Sequence, residues 1–458
     1  MSSLQSSGKY ESLDSGLPLA PITTIPQDVL KIIVGLVSTT DWYRLYCSGC
    51  PQFGFRLLRA VKCLRLAWND RFSDDYLADL MPYMVEMDSF ECFHRDLDVQ
   101  RLEMLSRPKI RRLVLKCSFS LSVWLSPHQY PHDSNSPMTA YHSVSEMFPN
   151  LDTLDIVEES FLFSSAGYIN PSSYASCDLL LSRMDLFLAT LPSTLTELSL
   201  HAMVDLSSLP AFLPKTLLHL SVSGYFPSDL TSYYASLPRN LQSFSLTRSY
   251  GQLQHLSGPR ALMAPPQTLE TFCSYPKINS DSLHLLPPHL TSFTAHHISF
   301  IDEDHNQYHH SHYQPHQSHQ DHQDRHSSTS SSSSNSTPTV AFPSTLKHMT
   351  VIASSNDTNE SFERFSSSVK SSSSLPHLES LKIDCLRMEI DTWRWNALCN
   401  PALKTLSIAM VKGWMFGAGG LVMPPNMECL EICQVRNALS EEFFKILPKT
   451  LTTLLLNG

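Results

Sequence analysis

A proline set between apolar positions recurs nine times along this chain, and no other feature restricts its fold so tightly. The clearest copies are Leu191-Pro192-Ser193-Thr194-Leu195-Thr196-Glu197-Leu198-Ser199-Leu200, Leu213-Pro214-Lys215-Thr216-Leu217 through Val222, and Leu237-Pro238-Arg239-Asn240-Leu241 through Leu246. Others begin at Pro266, Leu286, Phe342, Leu375, Met423 and Leu447, the copy at Leu375 being one residue shorter. Strand starts predicted from this pattern at Leu195, Leu217, Leu241, Leu269, Leu290, Leu346, Leu378, Leu403, Met427 and Leu451 follow one another at steps of 22, 24, 28, 21, 56, 32, 25, 24 and 24 residues. Self-similarity at a period of roughly 20–30 residues means one supersecondary unit stacked many times, so the expected architecture is a solenoid and the expected role is recognition.

Weaker copies precede these, from Val61 to Leu66, Met84 to Phe90, Ile110 to Leu115 and Leu151 to Ile156, giving roughly fourteen units. The step of 44 from Leu151 to Leu195 is about two periods and leaves room for a degenerate unit. Within Leu195 to Leu200 apolar and polar residues alternate, the period of a short half-buried strand. Short helices are predicted ahead of the strands over 185–190, 229–236 and 440–446, each opened by a capping Asp or Ser and ended just before proline. Proline has no N–H for the next helical bond and pushes its predecessor out of the α region, so it ends the helix and launches the strand at the same place in each unit.

A 458-residue chain would suit about three ordinary domains, but a repeat array grows linearly and one long solenoid is the simpler account. A formal charge of -10 with 17% charged residues offers no basic field for nucleic acid. No stretch approaches the ~18 consecutive apolar residues that span a bilayer, and the start of the sequence lacks a basic segment leading into an apolar run, so a soluble chain in the cytoplasm or nucleus is expected. Eleven cysteines in no framework read as reduced thiols.

The Leu-x-x-Leu-x-Leu core of Leu195, Leu198 and Leu200, and of Leu451, Leu454 and Leu456, resembles the leucine-rich repeat; the Leu-Pro-Ser-Thr-Leu wording is also similar to FNIP-type repeats. The resemblance covers about 60–458 and implies an α/β leucine-rich-repeat solenoid, a horseshoe with a parallel sheet on its concave face. The asparagine usual after the strand is mostly missing, Ala202, Gly224 and Ser249 lying near its place.

Ahead of the repeats, residues 1–22 are Ser-rich and expected to be disordered. In 23–58, apolar residues at 29, 30, 33, 36 and 37 mark one helical face, and Asp41 is placed to cap a second helix through Leu45. Ile25-Pro26, Asp28, Val29-Leu30, Ile33, Leu36, Asp41, Leu45 and Cys50-Pro51-Gln52-Phe53 resemble a small helical F-box, with Phe53 in place of its tryptophan and Pro51 cutting the third helix. That resemblance implies that Pro26, Val29, Leu30, Ile33, Leu36, Asp41 and Leu45 dock the Skp-type adaptor of a cullin-RING ubiquitin ligase, an SCF-type complex, while the repeats hold a protein substrate. The other reading of the segment is a helical cap over the first repeat.

Residues flanking the inward leucines face the concave surface: Glu197, Ser199 and His201; His219, Ser221 and Ser223; Ser243, Ser245 and Thr247; Ser292, Thr294 and His296; Thr405 and Ser407; Cys429, Glu431 and Cys433. The face is either a solvated sheet or a dedicated contact surface. Toward the N-terminus the same positions turn basic at Arg65, Arg112 and Lys116, which suits an acidic or phosphorylated segment.

The run 301–340, with eight histidines from His305 to His326 and then serines, accounts for the long step and is expected to be a disordered insert without fixed metal-ligand spacing. Cys47-Ser48-Gly49-Cys50 lacks a second pair, and Gly417-Ala418-Gly419-Gly420 reads as an inter-repeat turn. No Gly-x-Ser-x-Gly, His-Glu-x-x-His or kinase signature is present, so no enzyme activity, metal or cofactor is expected. The last copy, Leu447 to Leu456, ends in a strand whose open edge is expected either to be covered by another part of the protein or a partner, or to fray, which rapid amide exchange over 451–456 would show.

Overall fold

The structure is a computed structural model, and it describes Pro26, Val29, Leu102 and residues 58–66, 81–93, 104–106, 109–117, 143–158, 184–225, 230–249, 265–274, 278–296, 298–299, 342–352, 359–370, 375–384, 389–409, 413–415, 420–433 and 441–457. The 1–22 tail, most of the 23–58 segment, the Cys47–Cys50 pair and the 301–340 run lie outside the described residues.

The alternating segments form strands β1 (Cys63–Leu66), β2 (Ser89–Cys92), β3 (Arg112–Cys117), β4 (Thr153–Glu158), β5 (Glu197–Asp205), β6 (His219–Tyr225), β7 (Ser243–Ser249), β8 (Thr271–Ser274), β9 (Ile278–Asn279), β10 (Ser292–Ala295), β11 (Ile298–Ser299), β12 (His348–Ile352), β13 (Ser380–Asp384), β14 (Glu389–Asp391), β15 (Thr405–Ala409), β16 (Gly413–Met415), β17 (Cys429–Cys433) and β18 (Thr453–Asn457). Fourteen of them make one parallel sheet in the order β1-β2-β3-β4-β5-β6-β7-β8-β10-β12-β13-β15-β17-β18. The short pairs β9–β11 and β14–β16 form two-stranded sheets of their own. Each crossover returns the chain to the next strand in sequence, which is a solenoid matching the leucine-rich-repeat form. The step of 44 hides no strand of this sheet, because Leu154 of β4 is in direct register with Leu198 of β5. Likewise Phe293 of β10 pairs directly with Met349 of β12, so the 56-residue step is one repeat with an insertion.

The role of proline is more specific than ending a helix. Its carbonyl opens a tight turn closed by the N–H of the leucine three residues on, as in Leu195 N–H to Pro192 O at 3.2 Å, Leu217 to Pro214 at 3.1 Å, Leu346 to Pro343 at 3.2 Å and Leu451 to Pro448 at 3.1 Å. In the shorter copy the Leu375 carbonyl serves, receiving Leu378 N–H at 3.4 Å. Proline suits this place because its missing N–H leaves no donor to satisfy. The helix ends a few residues earlier, as with α1 (Met184–Ala189) ahead of Pro192, and the strand begins two residues after the leucine.

Neighbouring units are joined by a carbonyl that accepts two successive N–H groups. Asp152 O receives Thr196 N–H at 2.8 Å and Glu197 N–H at 3.0 Å; Thr196 O receives Leu218 and His219, and the same fork recurs at Lys62, Asp88, Arg111, Leu218, Gln242, Glu270, Thr291, Lys347, Glu379, Lys404 and Glu428. A threonine hydroxyl adds a second stitch. Thr216 Oγ1 lies 2.7 Å from Ser193 O and 2.8 Å from Leu195 O, and Thr194, Thr268, Thr345 and Thr450 reach two carbonyls of the preceding unit in the same way. The threonine just before the leucine therefore covers acceptors that the turn leaves open.

Inward side chains stack in register along the whole sheet. Leu154, Leu198, Leu220, Phe244, Phe272, Phe293, Met349, Leu381, Leu406 and Leu430 follow one another strand to strand, and none is more than 1% exposed. Each such burial contributes about 1.5–3 kcal/mol relative to exposure. Phe244 and Phe272 stack with ring centroids 6.0 Å apart, Phe272 and Phe293 at 6.2 Å, and Tyr234 of α2 (Leu230–Ala235) meets Phe272 edge-on at 6.0 Å. Helical residues such as Phe187, Tyr234, Phe365, Trp395 and Phe443 share this core, so the helices pack on the inward side of the sheet. Across that layer α3 (Asn359–Lys370) lies against α4 (Thr392–Leu398). At the end of the sheet β18 has one neighbour, and Leu455 and Leu456 are exposed.

Candidate functional site

Alternation that sends leucine inward sends the residues between to the opposite, open face of the sheet. The register lines these up in two rows. One runs Thr153, Glu197, His219, Ser243, Thr271, Ser292, His348 and the other Asp155, Ser199, Ser221, Ser245, Cys273, Thr294, Thr350. Beyond Glu197 these rows carry no carboxylate, lysine or arginine until Lys382 on β13. The predicted contact residues Glu197, Ser199, His201, His219, Ser221, Ser243, Ser245, Ser292 and Thr294 are thus brought onto one face, at strand separations of about 4.8 Å.

The N-terminal flank carries the three basic residues singled out from the sequence, each matched to a carboxylate of a neighbouring strand. Glu91, 9% exposed on β2, sits between Arg65 of β1 and Arg112 of β3: Arg65 Nε donates to its Oε2 at 2.6 Å, and Arg112 Nη2 lies 3.7 Å from its Oε1. Lys116 Nζ is 3.5 Å from Asp155 Oδ2. Phe93 receives Arg65 at 5.4 Å and Lys116 at 5.9 Å over its ring. At this end of the face the cations are paired with carboxylates of the sheet while their own side chains stay open to solvent, Arg65 by 64% and Arg112 by 55%.

Between these ion pairs and the uncharged stretch lies His201. Its Nδ1 is 2.6 Å from Ser223 Oγ and 3.4 Å from Thr247 Oγ1, and its Nε2 is 3.3 Å from Ser221 Oγ. Burial pushes this imidazole below its ordinary range; Asp155 opposes that displacement and Lys116 adds to it. At the other flank Ser407 Oγ donates to Glu431 Oε2 at 2.8 Å and Cys433 Sγ to Oε1 at 3.5 Å, so this carboxylate is held from both sides.

Burial pushes Cys399 up to about 12 and raises Cys273 and Cys63, which suppresses the thiolate. Among the described residues no group of three or more His, Cys, Asp or Glu side chains is arranged to hold a metal ion. No helix among them is long and apolar enough to cross a membrane. Of the predicted adaptor-docking residues, Pro26 and Val29 are described: both are exposed, Val29 by 43% and in helical conformation, while Leu30, Ile33, Leu36, Asp41 and Leu45 lie outside the described residues.

No protein-family model matches the sequence, and no curated protein matches it. Among solved structures the chain is similar to an internalin, InlF, from Listeria monocytogenes str. 4b F2365, at 14% identity and a TM-score of 0.40, covering 92% of this chain and 99% of that one. It is also similar to the leucine-rich repeat-containing protein LegL7 from Legionella pneumophila, at 15% identity and a TM-score of 0.31, covering 77% of this chain and 84% of that one.

Proposed function

We propose that this chain is a non-catalytic recognition solenoid that binds a protein partner across the open face of its sheet, centred on β5 to β12. The observation that carries this reading is the uninterrupted stretch of serine, threonine, cysteine and histidine along the two rows from Ser199 to Thr350, bounded at its N-terminal end by cations paired with Glu91 and Asp155. A partner docking there strips water from hydroxyls rather than from ions, and hydroxyls re-form their bonds across an interface at small net cost. The matching partner surface is uncharged and rich in hydrogen-bonding groups, so its affinity should change little with salt. Ser245→Arg and Thr294→Arg each bury an unmatched cation in that interface and are expected to weaken partner capture at least about tenfold. Proximity labelling with the full chain reads this: partners lost from both variants but kept by Lys449→Glu, on an exposed turn, mark the face, whereas partners kept by all three would place recognition elsewhere.

The finer reading, a substrate adaptor of an SCF-type cullin-RING ubiquitin ligase, is supported by the sequence from Ile25 to Phe53 and by the exposure of Val29, an apolar side chain of the docking face left open to solvent. On this reading the full chain co-purifies with a Skp-type adaptor and Leu30→Asp with Ile33→Asp abolishes the association. Failure of the wild type to bind leaves the chain an interaction scaffold without a ubiquitin role.

A further inference from the structure

His201 has more hydrogen-bonding neighbours than one protonation state can satisfy in the same way. A neutral imidazole presents one donor and one acceptor nitrogen, so one of Ser221 and Ser223 donates to the ring while the other accepts from it. An imidazolium donates on both sides, and both hydroxyls must then turn their own protons away. Ser221 is partly open and can do so toward solvent, but Ser223 is fully buried, at 0% exposure, and in the Nε2–H tautomer, where it donates to Nδ1, its proton would lose that acceptor. This hydroxyl grip therefore suits the neutral ring and resists the charged one. On the other side, on β4, the buried Oδ1 of Asp155 has no hydrogen-bond partner, Lys116 standing at Oδ2. A buried carboxylate oxygen without a donor is a destination for a cationic N–H.

We propose that His201 is a proton-operated switch in the open face: neutral, it is held by Ser221, Ser223 and Thr247 of β6 and β7, and protonated, it turns to the unpartnered oxygen of Asp155 on β4, freeing those hydroxyls. Among the described side chains, the ionisable groups that bear on the ring are Asp155 of β4, which favours the imidazolium, and Lys116 of β3, which opposes it; Ser221, Ser223 and Thr247 of β6 and β7 meet it with hydroxyls. Because burial holds the ring below the ordinary imidazole range, the switch turns below that range and rests neutral at pH 7. The proton comes from solvent and returns to it. Its consequence for partner binding rests on the recognition reading above, since Ser221 belongs to the proposed contact surface, but the switch itself belongs to the unliganded chain.

The test is histidine side-chain NMR on the full chain between pH 8 and 4.5, with the His201 signal assigned by its loss in His201→Gln. Two results are expected. The midpoint of His201 moves down in Asp155→Asn and up in Lys116→Gln. Through-space contacts from the ring to the Ser223 methylene disappear across the midpoint in the wild type and persist throughout in Asp155→Asn. A ring that keeps its Ser223 contacts at low pH in the wild type, or a midpoint unmoved in both variants, overturns the proposal. Lys116→Gln keeps the test available if Asp155→Asn fails to fold. No partner enters this measurement, so its failure leaves the recognition reading standing, and loss of that reading through Ser245→Arg leaves the switch standing.

Discussion

Phe272→Ala is expected to cost about 3–5 kcal/mol and to divide a single unfolding transition into two. The ring is fully buried, stacked between Phe244 and Phe293 and met edge-on by Tyr234, so truncation opens a cavity shared by three consecutive units. In a compact domain such a loss lowers stability as a whole. In a stacked array each unit touches only its neighbours, and a weak junction uncouples the blocks on either side. Guanidinium denaturation followed by amide exchange over β13 to β17 in the C-terminal block and over β3 to β6 in the N-terminal block should give coincident midpoints for the wild type and separate ones for the variant. Phe444→Ala, at a position 44% exposed, should cost less than about 1 kcal/mol and leave the midpoints together. Coincident midpoints in Phe272→Ala would mean that the aromatic spine is not what couples the two blocks.

Asn400→Ala is expected to cost about 2–4 kcal/mol, well above the usual cost of one lost hydrogen bond. This residue takes the place that proline holds in the clearest units: its carbonyl receives Leu403 N–H at 3.1 Å and so opens the turn. Its side chain, fully buried, donates to Val369 O at 2.9 Å and to Leu375 O at 3.2 Å, and accepts from Ala402 N–H at 2.9 Å. Alanine would take a partner from Val369 O, from Ala402 N–H and from Leu375 O, which would keep only its 3.4 Å bond from Leu378 N–H, and two of these three groups belong to the preceding unit. The variant should therefore loosen α3 and the turn at Leu375 as well as its own turn, visible as faster amide exchange over 365–378. A loss confined to 398–405 would show that the bridge to the earlier unit is dispensable.

The parallel strands and the inward leucines were legible in the sequence because each depends on a local pattern, alternation after a turn, that every unit repeats. The step of 44 residues could not be resolved that way, since an insertion and a degenerate unit have the same length; only the register of Leu154 with Leu198 distinguishes them. The threonine stitch left a visible signal, Thr194, Thr216, Thr268, Thr345 and Thr450 standing just before the leucine, but its acceptors lie one unit back and the letters alone do not pair them. Arg65, Arg112 and Lys116 read as a basic field for the same reason, because Glu91 and Asp155 lie far off along the chain and next to them only in the sheet. Asn400 carried no signal, because the carbonyl that opens the turn belongs to any residue, as at Leu375, and the bonds of its side chain reach into the preceding unit. The grouping of Ser221, Ser223 and Thr247 around His201 likewise exists only once three strands are in register.

The forked carbonyls at the strand entrances also carry side chains, and their order has a consequence for folding. Read along the sheet they run Lys62, Asp88, Arg111, Asp152 at one end and Lys347, Glu379, Lys404, Glu428 at the other, with ion pairs such as Arg111 to Asp152 at 3.8 Å and Lys404 to Glu379 at 3.2 Å. Correct neighbours always bring opposite signs together, whereas a strand that skipped one unit would set Lys62 against Arg111, Asp88 against Asp152, Lys347 against Lys404 and Glu379 against Glu428. Each contact is worth only a few tenths of a kcal/mol in water. Their alternation, however, sets like charges against each other wherever a unit is skipped within these two stretches, so that both ends of a chain of interchangeable leucine units keep count of their own repeats as they fold, while the middle, with Thr196, Leu218 and Gln242 at these places, carries no such count.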